Sequence, residues 1–85
     1  MKEITLYTTT YCPYCHRAKQ LLSQLALEYT EVNLSNNDKL REELTEKYSW
    51  YTVPMITIGN EFIGGFDDLY ELHSQGKLVD KIYAA

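Results

Sequence analysis

The stretch Ile4-Thr5-Leu6-Tyr7-Thr8-Thr9-Thr10-Tyr11-Cys12-Pro13-Tyr14-Cys15 decides how this chain folds, because it contains a strand, the loop that leaves it and the first turn of a helix. Ile4 to Tyr7 alternates apolar with polar or aromatic residues and is rich in β-formers, so it reads as a strand. Thr8 to Tyr11 carry the chain away from it. From Pro13 onward, Ala18, Leu21, Leu22 and Leu25 recur at helical spacing with Lys19, Gln20 and Gln24 between them. That pattern predicts a helix of about four turns. Pro13 suits its first position, where φ is already helical and no backbone N–H is needed. The chain has 2 cysteines in all, Cys12 and Cys15, and both lie at this strand-to-helix junction.

Working outward, a second strand is expected around Glu31 to Leu34, with Val32 and Leu34 on one face. Ser35-Asn36-Asn37-Asp38 is a cluster of helix-capping residues. Leu40, Leu44 and Tyr48 then mark a second amphipathic helix. Beyond Ser49-Trp50-Tyr51-Thr52, the runs Val53 to Ile58 and Glu61 to Ile63 flank Gly59-Asn60, which reads as an antiparallel hairpin. Gly64-Gly65 interrupts the pattern. Asp67-Asp68 open a third helix that carries Leu69 and Leu72 inward and ends near Gly76. Leu78, Val79 and Ile82 continue as a short terminal helix. The order is β-α-β-α-β-β-α, an α/β class. A helix between the first two strands makes a parallel right-handed crossover, and the hairpin adds an antiparallel edge. The expectation is one domain over residues 1–85 with a mixed four-stranded sheet and flanking helices. In such a sheet a reactive group belongs at the carboxyl end of a strand, where Cys12 falls.

Composition excludes several classes. An 85-residue chain that is 45% hydrophobic, with 4 glycines and 2 prolines, is an ordinary small folded protein with one core. Its net charge of −4, with cations scattered along the chain, argues against a nucleic-acid surface. No apolar run approaches the ~20 residues that cross a bilayer, and Met1-Lys2-Glu3 leads into the first strand without a signal-peptide core. A cytoplasmic setting and no membrane partner are therefore expected. Two cysteines this close constrain little of the unfolded chain, so the pair reads as chemical rather than structural.

Cys12 lies at the helix start, where unpaired N–H groups and the macrodipole favour a thiolate, so it is the expected nucleophile with a lowered pKa. Cys15, about one turn along, is placed to attack a mixed disulfide at Cys12, and nearer the apolar stripe it should be the more buried. Arg17, His16 and Lys19 add positive potential, and His16 reads chiefly as a solvated residue. A structural zinc would need four ligands, and beyond the pair only His16 and distant His73 remain, so no metal is expected.

Together, Cys12-Pro13-Tyr14-Cys15, Thr52-Val53-Pro54 and Gly64-Gly65-Phe66-Asp67-Asp68 resemble a dithiol glutaredoxin of the CPYC type, of the small bacterial kind. The resemblance covers the whole chain. It implies the thioredoxin fold and an enzyme that reduces protein disulfides and glutathionylated proteins with electrons from glutathione as co-substrate, with no permanently bound cofactor. Ribonucleotide reductase is among the clients such proteins often serve, and a monomer is expected. By resemblance Cys12 is the nucleophile, Cys15 its resolving partner and Tyr14 the aromatic wall beside the mixed disulfide. Thr52 and Val53 precede a Pro54 expected to be cis, with the Val53 backbone pairing with the cysteinyl unit of glutathione. Gly65, Phe66, Asp67 and Asp68 belong to the γ-glutamyl end, where a helix start offers N–H groups to a carboxylate. Helix capping is a second role open to the aspartates.

The chain departs from the family where many members carry a lysine before the CPYC loop and a basic residue before Thr-Val-Pro. Here those stretches read Thr8-Thr9-Thr10-Tyr11 and Ser49-Trp50-Tyr51. Loss of such a charge-assisted contact costs roughly 1.5–3 kcal/mol of binding unless hydroxyls, Lys47 or Arg41 take its place. Tyr11, Tyr14, Trp50 and Tyr51 offer an aromatic rim instead, although Trp50 also suits ordinary packing. A thioredoxin-like reductase recharged by a flavoprotein would fit the missing cations but not Gly64 to Asp68. An iron–sulfur carrier would need an open thiolate loop, against which Pro13 and Cys15 both argue.

Overall fold

The computed structural model describes residues 2–83, so Met1 of the lead-in lies outside the described residues. β1 (Ile4–Thr8) alternates buried and half-buried positions, and its last residue, Thr8, is a strand residue rather than part of the loop. Thr8 is fully buried, and its hydroxyl donates to the Glu31 carboxylate at 2.7 Å, which satisfies a polar group that burial would otherwise penalise.

α1 (Pro13–Gln24) has 12 residues, a little over three turns and shorter than the periodicity predicts. It stops because Ala26 adopts a left-handed φ of 55°, with Ala26 N–H bonded to the Ser23 carbonyl at 3.0 Å and Leu27 N–H to the Leu22 carbonyl at 2.9 Å. This is a Schellman closure. Leu27 folds back into the cluster that holds Leu22, so core burial favours the stop, and no glycine announces it in the sequence. β2 (Thr30–Asn33) runs parallel to β1, with Tyr7 opposite Val32. Leu34, expected within the strand, lies just past it, buried, with its N–H on the Thr8 carbonyl at 2.7 Å.

α2 (Asp38–Tyr48) is capped by Asn37, whose side chain accepts from Leu40 N–H at 3.2 Å. The chain then reaches β3 (Met55–Ile58) and β4 (Glu61–Gly64), paired antiparallel. The strand starts at Met55, later than Val53. Pro54 has no N–H for a ladder, and the Val53–Pro54 peptide, cis as the resemblance implies, stands outside it. Sheet order is β2-β1-β3-β4, so β3 is central and Pro54 stands just before a central strand. α3 (Phe66–Ser74) begins one residue earlier than Asp67, and it closes at Gly76, φ 71°, with Lys77 N–H on the Leu72 carbonyl at 2.9 Å. α4 (Leu78–Tyr83) follows.

Side-chain alternation divides the interior between the two faces of the sheet. Ile4, Leu6, Ile56 and Ile58 pack with Ala18, Leu22, Leu69, Leu78 and Ile82 from α1, α3 and α4. On the other face Leu34, Leu44 and Met55 are joined by Tyr7, Val32, Tyr48, Trp50 and Phe62. Register then gathers one end of the molecule. Tyr7 pairs with Met55, which sets the chain before β3 beside the chain after β1. Ile56 pairs with Gly64, which brings the start of α3 to the same end.

Candidate functional site

Cys12 is the N-cap of α1, with extended backbone (φ −141°, ψ 98°) and Pro13 in the first helical turn. Its Sγ accepts the Cys15 N–H at 3.0 Å, and its carbonyl accepts His16 N–H at 3.1 Å. The sulfur thus stands among the unpaired amides of a helix start, and no acidic residue occupies the first turn to compete with it. Cys12 and Cys15 are joined as a disulfide with Cα atoms 5.2 Å apart, so the structure shows the oxidised pair. Cys15 is 1% exposed whereas Cys12 is half-buried, the asymmetry expected of the two thiols. Cys12 Sγ also lies 3.6 Å from the Val53 carbonyl oxygen. A disulfide sulfur carries no proton, so this contact becomes a hydrogen bond only in the thiol form.

Next to the pair is an open groove of about 310 Å³ lined by Tyr14, Thr52, Val53, Pro54, Gly65, Phe66, Asp67 and Asp68, together with Trp50. The residues that sequence reading assigned to the γ-glutamyl end, the cysteinyl unit and the aromatic wall therefore share one surface, of a size suited to a small peptide-like ligand. Gly65 caps α3. Having no side chain, it leaves its N–H to the Asp68 carboxylate, which reaches back at 3.0 Å and forms half of a capping box. Asp68 thus has the structural role that capping offered. Asp67 is exposed and lines the groove. Gly64 has φ 124°, and a Cβ there would collide with the Asp68 carboxylate, so glycine is required on both counts.

Trp50 is the groove residue that sequence reading left mainly to packing, and it does both. Its ring meets Phe62 edge-on at 5.5 Å, and a Cβ on Gly65 would lie 3.4 Å from its Cζ2. Its indole N–H is buried without a hydrogen-bond partner among the described residues. Tyr11 and Tyr51 project into solvent, 94% and 78% exposed, so the aromatic rim reduces to Tyr14 and Trp50. Lys47 and Arg41 do not line the groove, and Lys47 Nζ sits 5.2 Å from the Tyr48 ring centroid instead. Among the described residues that line the groove there is no cation. The guanidinium of Arg17 stacks over the Tyr14 ring at 5.1 Å, at the groove's rim.

With this geometry in place, comparison with known proteins is specific. The sequence model of the family described as Glutaredoxin matches residues 4–63. A protein named Glutaredoxin from Pseudomonas aeruginosa is 45% identical over 78 residues, covering 92% of this chain and 93% of that protein. Glutaredoxin 3 of Escherichia coli is 44% identical over 78 residues, covering 92% and 94%. Among solved structures, the crystal structure of a buckwheat glutaredoxin-glutathione complex superposes with a TM-score of 0.90 at 34% identity, over 95% of this chain and 76% of that one.

Proposed function

The chain belongs to the glutaredoxin family, with its thioredoxin fold and thiol-disulfide oxidoreductase activity, and from that premise we propose that it is glutathione-dependent, with Cys12 as nucleophile and Cys15 as resolving thiol. The observation that carries this reading is the seat of the Cys12 sulfur: on the N-cap of α1, 3.0 Å from the Cys15 amide and 3.6 Å from the carbonyl of Val53, a residue that lines the groove. Buckwheat glutaredoxin carries glutathione in a fold superposable on this one, which supports the same ligand here.

In the reaction, the Cys12 thiolate attacks the glutathionyl sulfur of a mixed disulfide, forming a Cys12–glutathione disulfide and expelling the protein thiolate. A second glutathione thiolate then attacks that disulfide, releasing oxidised glutathione and restoring Cys12. On a protein disulfide, Cys12 forms a mixed disulfide with one protein sulfur and frees the other. Cys15 then attacks at Cys12, releasing the second protein thiol and leaving the Cys12–Cys15 disulfide seen here. Two glutathiones reduce it, so each substrate disulfide consumes two thiols and yields one oxidised glutathione. The α3 amides and Asp67 hold the γ-glutamyl carboxylate and ammonium, the Val53 backbone pairs with the cysteinyl unit, and Tyr14 flanks the sulfurs.

Residues 1–85 act on this reading as one monomeric domain in a reducing cytoplasm, on disulfide-bonded or glutathionylated proteins with ribonucleotide reductase among the candidates. The cation-free groove favours a second reading, a reductase recharged by a flavoprotein. Turnover of a glutathionylated peptide decides between them. Rapid recycling with glutathione and glutathione reductase, and none with a flavoprotein thioredoxin reductase, is expected; the reverse result overturns the proposal.

A further inference from the structure

A row of rings leaves the groove along α3. Phe66, Tyr70 and His73 recur at the four- and three-residue spacing that places side chains on one helix face. Their ring centroids follow one another at 5.9 Å from Phe66 to Tyr70 and 6.2 Å from Tyr70 to His73. At the near end Phe66 meets Tyr14, in α1, at 6.4 Å. Tyr14 and Phe66 line the groove whereas Tyr70 and His73 do not, so the ridge begins in the site and runs out of it. Phe66 packs partly against the core, but Tyr14 and Tyr70 do not belong to it. Leu69 provides that anchor at 0% exposure, while Tyr14 and Tyr70 are each 52% exposed. Contiguous exposed apolar surface of this kind marks a place where another molecule docks.

Charge identifies the occupant. Asp67 and Glu71, both exposed and four residues apart, form a row of carboxylates on the adjoining face of the helix, with Glu71 accepting from the Gln75 side-chain amide at 2.8 Å. Ring faces attract cations, and the two carboxylates on the adjoining face add negative potential to that side of the helix. The Arg17 guanidinium already covers Tyr14, which leaves Tyr70 as the exposed ring open to a cation from outside.

We infer that the ridge from Tyr14 through Phe66 and Tyr70 to His73, with Asp67 and Glu71 alongside, docks a basic, extended segment of the substrate protein next to the cysteine under attack. The inference rests on the reading of Cys12 as nucleophile. At about 3.3 Å per extended residue, the ring steps of 6.4 and 5.9 Å bring Tyr70 within reach of a side chain roughly four residues from one at the Tyr14 end of the groove. Glutathione in the groove takes Tyr14, Phe66 and Asp67 but leaves Tyr70 and His73 uncovered, so the outer half of the ridge, Tyr70, His73 and Glu71, acts on protein substrates alone.

The test uses glutathionylated peptides with one cysteine and either lysine or glutamate four residues away on each side. The native enzyme should turn over the lysine peptide with a kcat/KM about fivefold above the glutamate peptide at low ionic strength, and the gap should shrink with salt. Tyr70→Ser should lower kcat/KM for the lysine peptide about threefold through KM, while turnover of the glutathione adduct of mercaptoethanol stays unchanged. Tyr70→Ser combined with Glu71→Lys should reverse the preference. Equal rates for the two native peptide reactions overturn the inference, as does an equal loss on peptide and small adduct in Tyr70→Ser. A dimer that Tyr70→Ser dissociates also overturns it, by giving the ridge to a second copy. Failure of the nucleophile reading is separable, because Cys12→Ser protein should still bind the reduced lysine peptide more tightly in fluorescence anisotropy.

Discussion

α1 and α3 both begin at the groove with unpaired backbone amides, and they differ in what those amides hold. The start of α1 is capped by the Cys12 sulfur and has no carboxylate in its first turn. The start of α3 is capped by a glycine and carries Asp67 and Asp68, one of which bonds the Gly65 amide. The helix field favours a negative charge at either place. On α3 that charge is a permanent part of the fold, whereas on α1 it is a sulfur that forms and breaks bonds. A reactive anion is thus made by leaving a helix start free of fixed ones.

The largest effect should come from removing the sulfurs. Cys12→Ser is expected to abolish both deglutathionylation and protein-disulfide reduction. Cys15→Ser is expected to leave the first largely intact and abolish the second. Steady-state rates on a glutathionylated peptide and on a protein disulfide would show the split, and loss of deglutathionylation in Cys15→Ser alone would reverse the assignment.

At the other helix start the effect should be on stability. Asp68→Ala removes the bond to the Gly65 amide and should cost about 1 kcal/mol, a fall in Tm of roughly 4–8 °C for a domain of this size. Asp67→Ala should leave Tm within about 2 °C, as expected for an exposed residue outside the cap, but raise KM for glutathione. Equal melting temperatures for the two variants would show that the two aspartates do not divide these roles.

Making α1 resemble α3 sharpens the contrast further. His16→Asp places a carboxylate near the start of α1 and should raise the Cys12 thiol pKa, read from thiolate absorbance against pH. In the unaltered protein that titration should fall below the ~8.5 of an unperturbed thiol.

The smallest effect concerns a carboxylate remote from both helix starts. Glu31 is held below the usual carboxylate range first by the Thr8 hydroxyl, against partial burial that raises it, and then by Lys19 at 3.1 Å. A lowered folded-state pKa stabilises the fold above the unfolded-state value of ~4.3, and that stability is lost as pH falls through the folded value. Glu31→Gln should therefore flatten part of the acid limb of Tm against pH. With the side chain 34% exposed, the change should stay under ~1 kcal/mol.

Much of this was readable from the chain alone, because local chemistry dictates it. The alternation of Ile4 to Tyr7, the spacing of Ala18, Leu21 and Leu22, and the capping by Asn37 each act within a few residues, so they assign elements and put Cys12 at a helix start. Two cysteines at that junction already imply a redox pair. Other features depend on partners far along the chain. Ala26 ends α1 because Leu27 has a core to enter, a reason no residue nearby displays. Val53 comes within 3.6 Å of a sulfur 41 residues away because Tyr7 pairs with Met55. Trp50 lines the groove because it fills the space between Phe62 and Gly65, and Tyr14 reaches Phe66 because two helices begin at the same end of the sheet. Short-range patterns choose the elements, but sheet register and close packing choose which side chains meet, and the groove is built from those meetings.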